Sequence, residues 1–104
     1  MKQFEVFENP IPRARRAYPL VAVLQSDLAD TGRDRIVAPL VVRARLQPTV
    51  GRMTPHVTLE RVEYVLLIPS MTAVPGADLR SARGDVLGYR DQIVAALDYL
   101  FLGV

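Results

Sequence analysis

The sequence predicts a small, mostly β protein in which antiparallel strands pack against one C-terminal helix. Short apolar runs broken by turn residues occupy roughly the first three-quarters of the chain, and the apolar period then changes to that of a helix. Composition is the third observation. Half of the 104 residues are apolar by the broad count and cysteine is absent, so the core must form by burial alone. A chain of this length does that without disulfides or a structural metal, and at ~100–150 residues per domain residues 1–104 are expected to be one domain.

The elements follow in order. Phe4-Glu5-Val6-Phe7 reads as a strand, with Phe4 and Val6 on one face and Glu5 on the other. Asn9 to Arg16 carries two prolines and three arginines and reads as a solvated loop, because proline cannot donate to a central ladder. Leu20 to Leu24 is continuously apolar, the pattern of a strand buried on both faces. Gln25 to Arg35 is polar and contains the turn signal Thr31-Gly32. Ile36 to Val42 is a second apolar run, in which Pro39 predicts a sheet edge or a bulge. Thr49 to Arg52 breaks the chain again. Val57 and Leu59 alternate with His56, Thr58 and Glu60, as in a half-buried strand. Tyr64 to Ile68 is a third apolar run ended by Pro69, and Met71 to Gly76 leads into a turn. The spacing of Tyr89, Ile93, Leu97 and Phe101, widened by Val86 and Leu100, predicts an amphipathic helix from about Asp85 to Leu102. Asp85 is its expected N-cap, and Gly103 suits the position just past its end.

The same arithmetic limits function. Without cysteine there is no disulfide scaffold, thiolate catalysis or thiolate metal site. No apolar stretch precedes Arg13 to Arg16 in the manner of a signal peptide, and no run approaches the ~18 apolar residues of a membrane span. The expectation is a cytoplasmic protein with no membrane partner. A formal net charge of +2 is too small to imply nucleic-acid binding. Twelve of the thirteen basic residues are arginine, whose planar fork suits carboxylates and phosphates. An acidic partner fits that count, and so does codon bias.

Candidate chemistry is sparse. His56 is the only histidine, and on an alternating strand it reads as structural. A triad can be assembled on paper from Ser26 or Ser70 with His56 and Asp27, but no nucleophile-elbow pattern surrounds either serine. Asp27, Asp30 and Asp34 cluster in one turn. The order of acids and glycine in a calcium loop is absent and Arg33 and Arg35 lie among them, so a self-neutralising turn is the better reading. The basic groups are Arg13/Arg15/Arg16, Arg43/Arg45 and Arg52. On a strand Arg43 and Arg45 would share a face, either solvated or docking an acidic partner. No aromatic residues are interleaved with them to stack on bases. The odd feature is Tyr99 to Val104, almost wholly apolar where chain ends are usually polar. Core burial accounts for Leu97 and Leu100 more readily than for Phe101, Leu102 and Val104 together, which calls for a dimer interface or a partner.

Several of these segments, in this order, resemble the CcdB family of toxins from bacterial toxin–antitoxin pairs. Gln3 to Phe7 looks like the family's first strand, and Leu24 to Arg33 is similar to its glutamine–serine–aspartate turn. Ile36 to Leu40, followed by Ala44-Arg45-Leu46, matches the next strand. Met71 to Pro75 matches the segment before the helix, and Phe101-Leu102-Gly103-Val104 stands where the family ends in phenylalanine–tryptophan–glycine–isoleucine. The resemblance implies an SH3-like barrel of antiparallel strands with a small additional sheet, assembled as a homodimer without cofactor or catalysis. It implies a toxin that binds the dimerisation region of DNA gyrase A, or of a related type II topoisomerase, and traps the DNA cleavage complex. By position, the target-binding residues would be Ser26, Leu28, Ala29, Asp98, Phe101, Leu102, Gly103 and Val104. An antitoxin with a disordered acidic C-terminal arm would bind Arg13, Arg15, Arg16, Arg43 and Arg45, and DNA would be reached only through that complex, which autoregulates transcription. The chain departs from the family pattern at Leu102 (tryptophan in the family), Asp98 (asparagine) and Ala29 (a branched aliphatic). The family tryptophan stacks on a target arginine, and leucine has no π face. A diverged module that pairs with an antitoxin but poisons gyrase weakly is the alternative. The scaffold also serves ribonuclease toxins, a reading that one histidine and no aromatic RNA platform leave weak.

Overall fold

A computed structural model describes residues 2–29, 31–45 and 51–104. Asp30, Leu46 and the break at Thr49-Val50 lie outside the described residues. The strands are β1 (Glu5–Glu8), β2 (Leu20–Val23), β3 (Asp34–Val42), β4 (His56–Leu59), β5 (Val62–Leu66), β6 (Thr72–Pro75) and β7 (Ala82–Asp85); the helix is α1 (Arg90–Leu102). All pairings are antiparallel, in the order β4-β5-β3-β2-β1-β7, with β6 also paired to β3. The result is a mostly β half-barrel, a curled antiparallel sheet with one C-terminal helix.

The central strands explain the unbroken apolar run in β2. Leu20, Ala22 and Leu24 point into a core cluster shared with Phe4, Val6, Leu40, Leu66, Ile68, Ile93 and Ala96, beneath the helix. Val21 and Val23 point the other way, into a second cluster with Phe7, Val37, Val74 and Leu79. The sheet is therefore covered on both faces here, by α1 on one and by β6 with its following turn on the other. Each fully buried aliphatic side chain contributes ~1.5–3 kcal/mol.

β3 is the hub. Its residues Leu40, Pro39, Ala38 and Val37 pair with β2, while its opposite edge pairs first with β6 through Asp34 to Val37 and then with β5 through Leu40 to Val42. Pro39 lies inside this strand, neither at a sheet edge nor at a bulge, and its register with Val21 is regular. Its carbonyl accepts the Leu67 N–H at 2.9 Å, so its backbone faces the place where β3 changes partner from β6 to β5. Proline donates no hydrogen bond, so at that junction Pro39 contributes its carbonyl alone.

The two outer strands meet through side chains. Arg83 on β7 reaches Glu60 of the β4–β5 turn at 3.3 Å, and that carboxylate raises the guanidinium pKa above its ordinary value. Gly84 adopts φ +106°, and a Cβ there would lie 3.3 Å from Leu59 Cδ1, so both backbone and packing call for glycine. The Tyr89 hydroxyl accepts the Thr58 N–H at 3.0 Å and covers part of the β4 edge.

β7 overturns the expected start of the helix. Asp85 is a strand residue paired with Glu5, and its carboxylate accepts the Leu87 N–H at 3.0 Å in the turn that follows. The helix begins at Arg90 without a side-chain cap. β7 is exposed at every position, so no apolar alternation marks it in the sequence.

Phe101 is the second correction to the helix, since it leaves the apolar stripe. Steps of four residues advance about 400° in an α-helix, drifting about 40° each time, so two such steps from the buried Ile93 carry Phe101 about 80° away, past Leu97 at the rim of the packed face. The residues that stay on that face mix steps of three and four: Ile93 and Ala96 are buried, with Tyr89, Leu97 and Leu100 packed beside them. Gly103 ends the helix at φ +73°, and its N–H reaches the Tyr99 carbonyl at 3.0 Å.

Candidate functional site

The fold displays two groups of apolar side chains and one basic face. The first group is on the turn after β2, which Gln25 organises. Its amide donates to the Ala29 carbonyl at 3.1 Å, and its Oε1 accepts the Ile36 N–H at 2.8 Å and the Thr31 hydroxyl at 3.2 Å. Ser26 Oγ accepts the Leu28 N–H at 3.1 Å, and the Ser26 carbonyl accepts the Ala29 N–H at 3.0 Å. Asp27 Oδ1 accepts the Gln3 N–H at 2.8 Å, tying the turn to the start of the chain. All these bonds hold Leu28 outward, where it is 95% exposed. An apolar side chain fixed in water by a hydrogen-bonded turn offers binding energy at little further ordering cost. Ser26 acts in the turn's own bonding, and Ala29 contributes backbone groups.

The second group is the end of α1. Phe101, Leu102 and Val104 are 67%, 71% and 72% exposed, and Asp98 is exposed beside them. The sheet side of the helix is filled by Leu97 and Leu100, so these later residues have no core to enter. Gly103 turns the chain between Leu102 and Val104 with nothing within 4 Å of where its Cβ would stand.

The basic residues lie differently from their expected strand. Arg43 and Arg45 occupy a 3-10 turn that follows β3, so strand alternation does not place them. β3 ends at Val42, opposite Tyr64, although β5 itself continues to Val62. Arg45 Nη1 donates to the Arg16 carbonyl at 3.2 Å, which joins this turn to the Arg13 to Arg16 loop. Two of the charges are engaged: Arg15 pairs with Glu8 at 3.1 Å and Arg43 with Glu63 at 3.5 Å. Arg13 and Arg16 are exposed. The loop is closed by Asn9, buried, whose amide donates to the Tyr18 carbonyl at 2.8 Å and whose Oδ1 accepts the Ile11 N–H at 2.9 Å. The sequence pattern does not single out Asn9, although asparagine before proline at a loop start is a signal for such a turn. Nor does it mark Arg61 and the half-exposed Val62, which line a cleft with Arg43 and Glu63.

The members of the Ser26 form of the paper triad are engaged elsewhere in the fold. Asp27 is used by Gln3, Ser26 Oγ by Leu28, and His56 begins β4, which β5 and β3 separate from β2 in the sheet. In the acidic turn, Arg35 donates to the Gly32 and Asp34 carbonyls, both at 2.8 Å.

A family model for CcdB protein matches residues 3–103. The chain belongs to the CcdB family. That span takes in the Gln25 turn, the basic loop and the helix end to Gly103. CcdB proteins are toxins, not a family of catalytic enzymes. No curated protein matches the chain. Among the described residues no helix is long and apolar enough to cross a membrane.

Proposed function

We propose that this chain is the toxin of a type II toxin–antitoxin pair, a single domain over residues 1–104 that acts in the cytoplasm as a homodimer. It binds the dimerisation region of DNA gyrase A and traps the enzyme on cleaved DNA. The observation that carries this reading is the apolar helix end in a CcdB family member. Phe101, Leu102 and Val104 have no use for their exposure in the chain itself, and burying each on a partner would contribute ~1.5–3 kcal/mol. Ser26, Leu28, Ala29, Asp98 and Gly103 complete the target surface, with Leu28 as its second apolar contact. Arg13, Arg16 and Arg45, with Arg15 and Arg43 alongside, form the antitoxin surface. The Arg45–Arg16 contact supports treating loop and turn as one face for an acidic arm.

Expression with and without an acidic-tailed antitoxin, followed by a gyrase cleavage assay, tests the reading. Growth arrest relieved by the antitoxin and accumulation of cleaved DNA are expected. Normal growth with no stabilised cleavage complex sinks the poisoning claim.

A second reading rests on Leu102. Its exposed aliphatic side chain stands where the family presents an indole, and a lost anchor of that kind costs ~2–4 kcal/mol of affinity. In this reading the chain binds its antitoxin and autoregulates transcription while poisoning gyrase weakly. Leu102→Trp separates the two: a large gain in cleavage-complex formation favours the diverged module, and no gain favours a surface already suited to its target.

A further inference from the structure

The last turn of α1 presents a physical problem. Leu100 is its final core contact, and Phe101 and Leu102 face solvent. A 13-residue helix is marginal without tertiary packing, and its ends fray first. The end carbonyls carry negative partial charge, which a nearby cation stabilises, yet the last turn contains no basic residue. A cation from elsewhere in the chain reaches the aromatic ring of that turn. The Arg52 guanidinium stands over the Tyr99 ring, 4.2 Å from its centroid and well inside the ~6 Å range of cation–π attraction. Tyr99 is also the residue whose carbonyl holds the Gly103 N–H.

Arg52 is itself carried on a defined turn. The Thr54 N–H and hydroxyl both reach the Gly51 carbonyl at 3.5 Å. The Pro55 carbonyl accepts the Leu66 N–H at 2.9 Å and ties that turn to the β4–β5 hairpin. Arg52 therefore links the last turn of the helix to the segment that leads into the β4–β5 hairpin.

We propose that Arg52 is a positioning residue for the apolar helix end, acting through Tyr99; its consequence for target binding rests on the reading of that end as the docking surface. By stacking on Tyr99 it holds the carbonyl that caps the helix and so fixes the direction in which Leu102, Gly103 and Val104 leave it. It also occupies one face of the ring, so that face does not receive a partner's cation.

Amide hydrogen exchange at Gly103 in the intact free protein tests the clamp, with β2 and β3 amides reporting global opening. Arg52→Gln and Tyr99→Leu should each speed Gly103 exchange about two- to fivefold, with β2 and β3 unchanged. The double variant should be no faster than either single one, because both remove the same contact. Tyr99→Phe, which keeps the ring, should match the wild type. Additive single effects, or Tyr99→Phe behaving like Tyr99→Leu, would overturn the proposal. Binding to the isolated gyrase A dimerisation region is then measured. Arg52→Gln should bind at least twofold more weakly than the wild type, and equal binding overturns the positioning role. A wild type that does not bind at all sinks the proposed target instead, and the clamp then stands or falls on exchange alone.

Discussion

Ile93 and Leu102 belong to one helix and meet opposite environments. The first lies wholly within the cluster formed by Phe4, Leu40 and Leu66, and the second projects into solvent past the last core contact. Both are aliphatic, and leucine has the higher helix propensity of the two, so propensity does not explain why isoleucine is the one buried. The difference lies in what the sheet supplies. The inner face of the half-barrel reaches as far as Leu100, and the remaining apolar residues are held by a glycine cap and a side chain from another segment. Residues that hold the fold and residues available to a partner thus occupy successive turns of one element, and stability measurements should tell them apart.

The largest effect belongs to the buried half. Ile93→Ala should lower unfolding free energy by about 2–5 kcal/mol, since it leaves a cavity between sheet and helix. Denaturant titration reads this as a shifted midpoint at constant slope. Next is the Gln25 turn, the other place where an apolar residue is displayed. Gln25→Ala removes three hydrogen bonds and leaves the Ile36 N–H without its partner, so a loss of about 1–3 kcal/mol is expected by the same titration. The comparison then becomes specific. The helix end is supported mainly through the backbone and Tyr99, whereas Leu28 is supported by the side chains beneath it.

How far these arrangements were legible in the sequence depends on range. β2, β4 and the half of α1 that packs show in the sequence because burial imposes a period on consecutive residues. β7 does not, because an edge strand exposed at every position leaves no period to read. The drift of Phe101 off the stripe is implicit in helix geometry, but only the depth of the core decides where burial stops. The turn at Arg43 to Arg45 stands in place of an expected strand, since β3 leaves the ladder at Val42 while β5 continues, and alternation within Arg43 to Arg45 carries no signal of that. The pairing of Arg52 with Tyr99 has no local signal at all. Leu28 was picked out by family position, whereas the reason it stands clear of the surface is the bonding pattern of Gln25, Ser26 and Asp27.

Gly103 gives a smaller effect that isolates backbone geometry. At φ +73° a side chain is strained, but nothing lies within 4 Å of the added Cβ, so Gly103→Ala should cost about 1 kcal/mol from conformation alone. A markedly larger loss in thermal unfolding would mean that the cap packs against something the free surface does not show.

The smallest effect on stability is expected where the largest effect on binding is proposed. Leu28→Ser and Leu102→Ala each alter a side chain that touches little of its own fold, so unfolding free energy should stay within about 0.5 kcal/mol of the wild type. If these residues serve a partner, the same substitutions should remove most of their share of its binding, ~1.5–3 kcal/mol for each leucine that becomes fully buried. Denaturant titration and binding to the gyrase A dimerisation region, run on the same preparations, compare the two quantities directly. A stability loss of about 2 kcal/mol in either variant would show that the leucine is already covered in the free protein, as a homodimer contact would require. Unchanged stability with unchanged binding would remove that residue from the docking surface. Unchanged stability with weakened binding is the result that separates display from folding, and only side chains with no structural duty of their own can give it.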